Sequence, residues 1–472
     1  MNKLLALVLV VSACTFKKKD LSNQTQNGHE GLYALSEKPE AVGRRYKRIV
    51  LAATNDVQAH FGPVALNFKD KHHKSKQQIE VGGVDVMSSY LKILRSKYQN
   101  VLLVDSGDFL APNGKRVKSI RKFYQELGYD AMTVGLGDFN LRLPAGSTSS
   151  TQFIRDFAKD SSTPLLLSNL YELKTARGVE WKGTKPYLIK EIDGVKIGIL
   201  GIVPDDIVAL TPVDNRVGLY VESMVQNTLR YARLLRSLGA QMVVVLTHQG
   251  AECGKKIAED QKLPLSKVNF EPEKPNVCDM SGALGDYLTR LPPGLVDVVV
   301  GGRHHQKMAN LQNGVVLLSG FDSGKSMGLV EFTFSKESGK LIPDETVIRQ
   351  PVMFCREFFK ETNDCYTEDP SVDHAPRVPA TFLGETITPD SEMREKFKSF
   401  FTTKTTARGS RDWKEALKIL GADLVYTSET SGKTQLITLE LSGRDLADLL
   451  EARFNQRLTT GWFPTQIGRA HV

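Results

Sequence analysis

Five short, predominantly apolar runs, residues 49–52, 101–104, 131–134, 243–246 and 296–300, each lead into a polar or glycine-rich segment. These segments are Thr54-Asn55-Asp56-Val57-Gln58, Asp105-Ser106-Gly107-Asp108, Val134-Gly135-Leu136-Gly137-Asp138, Thr247-His248 and Gly301-Gly302-Arg303-His304-His305. Runs so short and so apolar read as strands buried on both faces, as in a parallel sheet. A single Gly-Asp pair is ordinarily a turn. Five polar strand ends in chain order instead bring Asp, Gln and His side chains to one sheet edge, where open α/β sheets carry out their chemistry.

Helical periods separate the runs. Residues 118–127 put Ile120, Phe123, Tyr124 and Leu127 on one face, and Val225, Leu229, Ala232 and Leu235 do the same before the strand at 242–246. The alternation of strand and helix predicts an α/β class. Residues 328–335 alternate as Leu329, Glu331, Phe332, Thr333, Phe334 and predict a half-exposed late strand.

Carboxylates, imidazoles and side-chain amides converging from strand ends are what divalent metals require, oxygen suiting Mn or Mg and imidazole suiting Zn, Fe or Mn. In order and spacing, residues 48 to 335 resemble the calcineurin-like metallophosphoesterase superfamily, in its 5'-nucleotidase and UDP-sugar hydrolase branch. The family pattern runs Asp-x-His, Gly-Asp, Gly-Asn-His-Glu, a strand-end His, then Gly-His-x-His or Gly-His-x-Gln. Carried onto this chain, Asp56 matches the first metal Asp and Asp108 the carboxylate that bridges two metals. His248 matches the strand-end ligand and His305 the last ligand. The chain departs from the pattern at Gln58 for His, Leu136 for Asn, Gly137 for the catalytic His, Asp138 for Glu, and Arg303 for the first His of the last motif.

The resemblance implies a four-layer α/β/β/α domain. It leaves Asp56, Gln58, Asp108 and His305 as ligands of a first metal, with only Asp108 and His248 for a second. One divalent ion (Mn, Zn, Fe or Mg) is expected, with two as the alternative. Arg303 is expected to stand as a fixed cation beside Asp108 and His248 and to hold a phosphate oxygen. With Gly137 lacking an imidazole, His304 or His60 is the candidate to assist the leaving group, against the reading that each is a loop histidine. Three functions follow: a hydrolase of nucleotides or nucleotide sugars, a relative that only binds a phosphorylated ligand, and a scaffold that keeps the remains of the site.

Met1-Asn2-Lys3, an apolar core at 4–11 and Cys14 after Ser12-Ala13 resemble a lipoprotein signal segment, 1–14, with Cys14 as the lipidated residue. The expected location is a bacterial cell envelope, anchored to the membrane by lipid. Residues 15–47 read as a flexible tether, 48–345 as the metallophosphoesterase-like domain, 346–385 as a linker and 386–466 as a partial C-terminal 5'-nucleotidase-like domain. Residues 467–472 match a reading frame of a sequencing adapter, so the natural chain is expected to continue past Gln466, and Trp462 and Phe463 read as core rather than base-binding residues.

The other four cysteines form two locally spaced pairs, which suggests Cys253 with Cys278 and Cys355 with Cys365, although three connectivities satisfy the count. A formal charge of +8 favours anionic ligands without implying nucleic acid. Lys69, Lys71, His72, His73, Lys74 and Lys76 read first as a solvated loop and second as a device that steers phosphate.

Overall fold

The structure, a computed structural model, describes residues 45–68, 77–111, 116–141, 149–212, 215–254, 278–366, 376–401, 426–431 and 434–439. Cys14, the tether up to residue 44, the basic cluster at 69–76 and the last residues, 440–472, lie outside these.

Two sheets stack face to face. The first has seven strands, in the order Val347–Met353, Ser326–Ser335, Tyr46–Thr54, Val101–Asp105, Ala131–Met132, Leu165–Leu166, Thr184–Lys185. The second has six, in the order Tyr187–Ile192, Val195–Ile202, Met242–Thr247, Val298–Val300, Val315–Ser319, Met308–Gln312. Alternate residues of each strand face opposite layers. Ile49, Leu51 and Ala53 meet Val244, Leu246, Val298 and Val300 between the sheets. Val50, Ala52 and Leu103 instead pack beneath the helices Val84–Lys97, Val117–Leu127 and Ser150–Lys159. On the far side, Val243, Val245 and Val299 lie under the helices Met224–Ser237 and Ala283–Thr289. This is the α/β/β/α order, and both faces of each central strand are covered, which is why those strands read as unbroken apolar runs.

The predicted helices form with the expected faces: Ile120, Phe123, Tyr124 and Leu127 are buried, as are Val225, Ala232 and Leu235, with Leu229 packed partly against them. Ser223 caps the second of these helices by accepting from the Gln226 N–H.

Three expectations need correction. The five polar segments leave two sheets rather than one: the strands at 46–54, 101–105 and 131–132 run parallel in the first, those at 242–247 and 298–300 in the second. The Ser326–Ser335 strand is buried rather than half-exposed and lies inside the first sheet, antiparallel to Tyr46–Thr54. Its polar members are absorbed by partners, as where Arg48 Nη1 meets the buried Glu331 carboxylate at 3.1 Å.

Residues 346–385 are no linker. Val347–Met353 forms the sheet edge, and Phe354, Cys355, Phe358, Phe359 and Phe382 are buried in the helix-side core. The next residues, to Phe401, stay on the same body. The buried Asp85 carboxylate takes Arg356 at 2.8 and 3.1 Å and Arg394 at 3.5 Å, while Phe397 and Phe400 pack on Phe61. Removing one partner of a buried pair of this kind costs about 3–5 kcal/mol. The charge and proline content of the stretch suggested a connector, but its phenylalanines fill the core. Of the expected C-terminal unit, the described residues past Phe401 form the hairpin Tyr426–Ser431 with Thr434–Leu439.

Disulfides join Cys253 to Cys278 and Cys355 to Cys365. Among the described residues, no helix is long and apolar enough to cross a membrane.

Candidate functional site

The parallel strands of both sheets end on one side of the molecule, and the loops there are tied across the sheets. The Ser106 hydroxyl donates to the Gly301 carbonyl, the Asp56 N–H to the Gly107 carbonyl at 2.9 Å, and the Ser323 N–H to the Asp56 carbonyl at 2.7 Å. Asp56, Gln58, Asp108, Arg303 and His305 all adopt the left-handed backbone, with φ between 48° and 78°. Each such non-glycine residue costs of order 1 kcal/mol or more, and clusters of them mark functional sites.

Asp56 is the hub. Its Oδ1 accepts from His248 Nε2 at 2.7 Å and lies 3.2 Å from His305 Nε2; its Oδ2 accepts from Asn55 Nδ2 at 2.7 Å and from the Arg303 N–H at 2.9 Å. Asp108 Oδ2 lies 3.9 Å from His248 Nε2 and 3.5 Å from Gln58 Nε2, and the Gln58 amide also reaches His305 Nε2 at 3.5 Å. A half-turn of that amide would present Oε1 to the same place.

Electrostatics favour positive charge in this cluster. Burial would raise the Asp56 carboxyl, but the charges and hydrogen bonds of His248 and His305 outweigh it and hold the group well below the usual carboxylate range. Burial pushes the Asp108 carboxyl up, and repulsion from Asp56 adds to the push. For His248, burial works against the proton, yet the charges of Asp56 and Asp108 prevail and raise the imidazole to about 9. In the neutral ring, Nδ1 accepts from the Leu136 N–H at 3.3 Å; the protonated ring gives that bond up.

One ligand atom from each of Asp56, Asp108 and His248 falls within 4.8 Å of the others. Oxygen and nitrogen ligands sit about 2.0–2.2 Å from a metal such as Zn, so their mutual spacing around one ion is about 3–4 Å. The donor types and spacing therefore fit a single divalent cation, with His305 and the Gln58 amide alongside.

The expected division into two ligand sets is absent. His248 is nearer to Asp56 than to Asp108, because the segment after the 131–132 strand brings backbone donors where a second ion would need ligands. The Gly137 N–H donates to Asp108 Oδ1, and the Leu136 N–H faces His248 Nδ1. A Cβ on Gly137 would lie 2.6 Å from both Asp108 carboxylate oxygens, so any side chain there displaces the carboxylate or the turn. Asp138 braces the same turn by accepting from the N–H groups of Gly135 at 2.8 Å, Asp108 at 3.0 Å and Leu110 at 2.8 Å.

The Arg303 guanidinium does not lie beside Asp108 and His248. Its backbone serves Asp56 while Nη1 pairs with Asp206 Oδ2 at 2.7 Å, across the mouth. The ion pair with Asp206 draws the guanidinium outward, which the preceding glycines alone did not reveal. His304 is exposed next to Gly250, and His60 is exposed with its N–H on the Val57 carbonyl. Sequence reasoning gave no role to Asn55, Ser106, Asp138 or Asp206, all of which hold or orient the cluster. Asn55, Ser106 and Asp138 stood inside the motifs, and Asp206 carried no signal at all.

No family model matches the chain. Snake venom 5'-nucleotidase of Crotalus adamanteus is 28% identical over 300 residues, covering 62% of this chain and 46% of that protein. The 2',3'-cyclic-nucleotide 2'-phosphodiesterase/3'-nucleotidase of Salmonella typhimurium is 25% identical over 225 residues, covering 43% of this chain and 33% of that protein. The chain spans less than half the length of these curated relatives. Among solved structures, calcineurin-like phosphoesterase YfkN from Bacillus subtilis aligns with a TM-score of 0.49 at 17% identity, over 75% of this chain and 97% of that one. By sequence the chain is similar to 5'-nucleotidases and nucleotide phosphodiesterases, and its site segments follow the order of the calcineurin-like metallophosphoesterase pattern.

Proposed function

We propose that the chain is an exported phosphoester hydrolase, acting on nucleotides or similar small phosphate esters with one divalent cation. What supports this is the convergence of Asp56, Asp108, His248 and His305 from two sheets onto one buried point whose carboxylates favour positive charge. These four side chains, with the Gln58 amide, would hold the cation. Bound there, a divalent ion supplies Lewis acidity toward a phosphoryl oxygen and lowers the pKa of water.

The remaining residues position and neutralise. Arg303 starts less than a side chain's length from Asp56, and an exposed ion pair such as its contact with Asp206 is worth only about 0–1 kcal/mol. The guanidinium can therefore leave Asp206 and take two phosphoryl oxygens bidentately. His304, at the rim, is the group left to pass a proton to the departing oxygen.

The second reading, a protein that binds a phosphorylated ligand without turnover, is favoured by one observation: backbone N–H groups of Leu136 and Gly137 stand where the family keeps a ligand and an acid. The test is metal content after incubation with Mn, Zn, Fe or Mg, with phosphate release from a nucleotide panel measured on the same sample. About one ion per chain with release, and an Arg303→Ala variant that keeps its ion but binds phosphate at least several-fold more weakly, is the expected result. An ion without release selects the binding protein, and no ion removes both readings.

Attachment to the envelope through Cys14 is proposed from the lipobox-like segment. A Cys14→Ser variant is expected to lose incorporation of labelled fatty acid in a bacterial host; equal labelling of both forms rules the anchor out.

A further inference from the structure

Among the strand ends that carry the cation cluster stands a buried carboxyl that the proposed hydrolysis does not use. Asp105 closes the Val101–Asp105 strand, is fully buried, and lies opposite Thr54 in the parallel register that joins this strand to Tyr46–Thr54. Its Oδ2 accepts from the Thr54 hydroxyl at 2.6 Å and its Oδ1 from the Gly107 N–H at 2.9 Å. With the Thr54 proton given to the carboxylate, the Thr54 oxygen is left to accept from the Tyr129 hydroxyl, 2.8 Å away. The Gly107 carbonyl in turn takes the Asp56 N–H at 2.9 Å. Gly107 has a φ of 105°, and a Cβ there would lie 2.5 Å from the Gly135 nitrogen, so this turn is pressed against the 135–138 segment.

Burying a carboxylate is costly unless hydrogen bonds satisfy it, and here those bonds run to the two segments that carry Asp56 and Asp108. Thr54 stands two residues before Asp56, and Gly107 immediately before Asp108. We propose that Asp105 is a positioning residue of the cation site: its two oxygens tie the strand end that leads to Asp56 to the turn that carries Asp108, and so fix the gap between the two carboxylates. This role rests on the cation site of the proposed function and is independent of turnover. Burial pushes the Asp105 carboxyl up to about 7 against the bonds from Thr54 and Gly107, and repulsion from Asp56 adds to the push. Asp56, the Tyr124 hydroxyl from the Val117–Leu127 helix and the Tyr129 hydroxyl are the titratable groups that face it. A dication held by Asp56 and Asp108 favours the ionised form, so ion affinity is expected to gain as pH rises through about 7.

Manganese binding to the full chain, read by the electron paramagnetic resonance of free and bound ion, tests this in the native sequence, Asp105→Ala, Asp105→Asn and Thr54→Val. Asp105→Ala is expected to weaken binding about 10–100-fold, as when residues that orient metal ligands are removed, and to change the spectrum of the bound ion. Asp105→Asn keeps an oxygen for the Gly107 N–H and an amide that can donate to Thr54, so it is expected to restore most of the affinity. It should lack the part of the native gain that falls near pH 7, a difference that a residue serving stability alone would not produce. Should Asp105→Ala fail to fold, Thr54→Val, which cuts one of the two ties and leaves the carboxyl in place, is expected to weaken binding several-fold. Native affinity in Asp105→Ala, or in Thr54→Val where the alanine variant does not fold, overturns the role, and so does an Asp105→Asn that binds no better than Asp105→Ala. No manganese on the native chain removes the cation site itself, and the role falls with it.

Discussion

Asp56→Asn is expected to abolish stoichiometric metal binding while the protein stays folded. The change is isosteric, so Asn55, Arg303 and His305 keep a neighbour of the same shape. What disappears is the charge shared by His248 at 2.7 Å and His305 at 3.2 Å. Changing residues that merely orient metal ligands costs about 10–100-fold in affinity, so losing the hub itself should exceed 100-fold. Asp108→Ala should fail in the same way, with any phosphate release. Ion titration read by calorimetry decides it, and native affinity in either variant would refute the assignment.

The same variant carries a pH signature. In chelated native protein, the folded pKa of His248, about 9, lies above its unfolded value of 6.5. The stability it contributes is therefore complete below 6.5 and is lost as pH rises through 9. Asp56→Asn removes the nearest charge responsible, so the fall in urea midpoint across that window should become shallower. An equally steep fall in both proteins would show that the carboxylate does not govern the imidazole.

Gly137→His, which restores the family residue, is expected to damage the site rather than repair it. The added Cβ meets both carboxylate oxygens of Asp108 at 2.6 Å, well inside contact distance. Either Asp108 or the 135–138 turn must move, and that turn is pinned by three N–H bonds to Asp138. Overpacking of this kind typically costs about 1–3 kcal/mol, and the displaced carboxylate should take the metal affinity with it. Thermal melting and metal content together read the result. A variant that binds two ions, or turns over faster, would show that the local backbone yields to the family pattern.

Much of the architecture was legible because burial writes itself into sequence. Strands covered on both faces carry polar residues only where a partner absorbs them, hence the largely apolar runs. The faces of the two helices near 120 and 230 followed from their period. Sheet membership was not legible, since a run such as 243–246 looks the same in either sheet and only pairing partners tell them apart. Nor did composition reveal that 347–401 belongs to the body: its charged residues lie among phenylalanines whose destination depends on tertiary contacts. In the site, Asp56, Asp108, His248 and His305 converge as their strand-end positions implied. Arg303 was misplaced because its guanidinium pairs with Asp206, a residue outside the motifs that spacing in the sequence does not bring to the site.

Asp56 and Asp108 stand on the first sheet, His248 and His305 on the second, with an apolar layer between the sheets and hydrogen bonds joining their loops. An ion held by all four would act as a further clasp between layers whose broad contact is apolar. Its binding free energy then enters the cohesion of the whole molecule, adding about 2.7 kcal/mol when the free ion is at 100 times its dissociation constant. Resistance to unfolding would follow the metal supply of the surroundings, so scarcity of the ion would loosen the sandwich itself along with silencing the site.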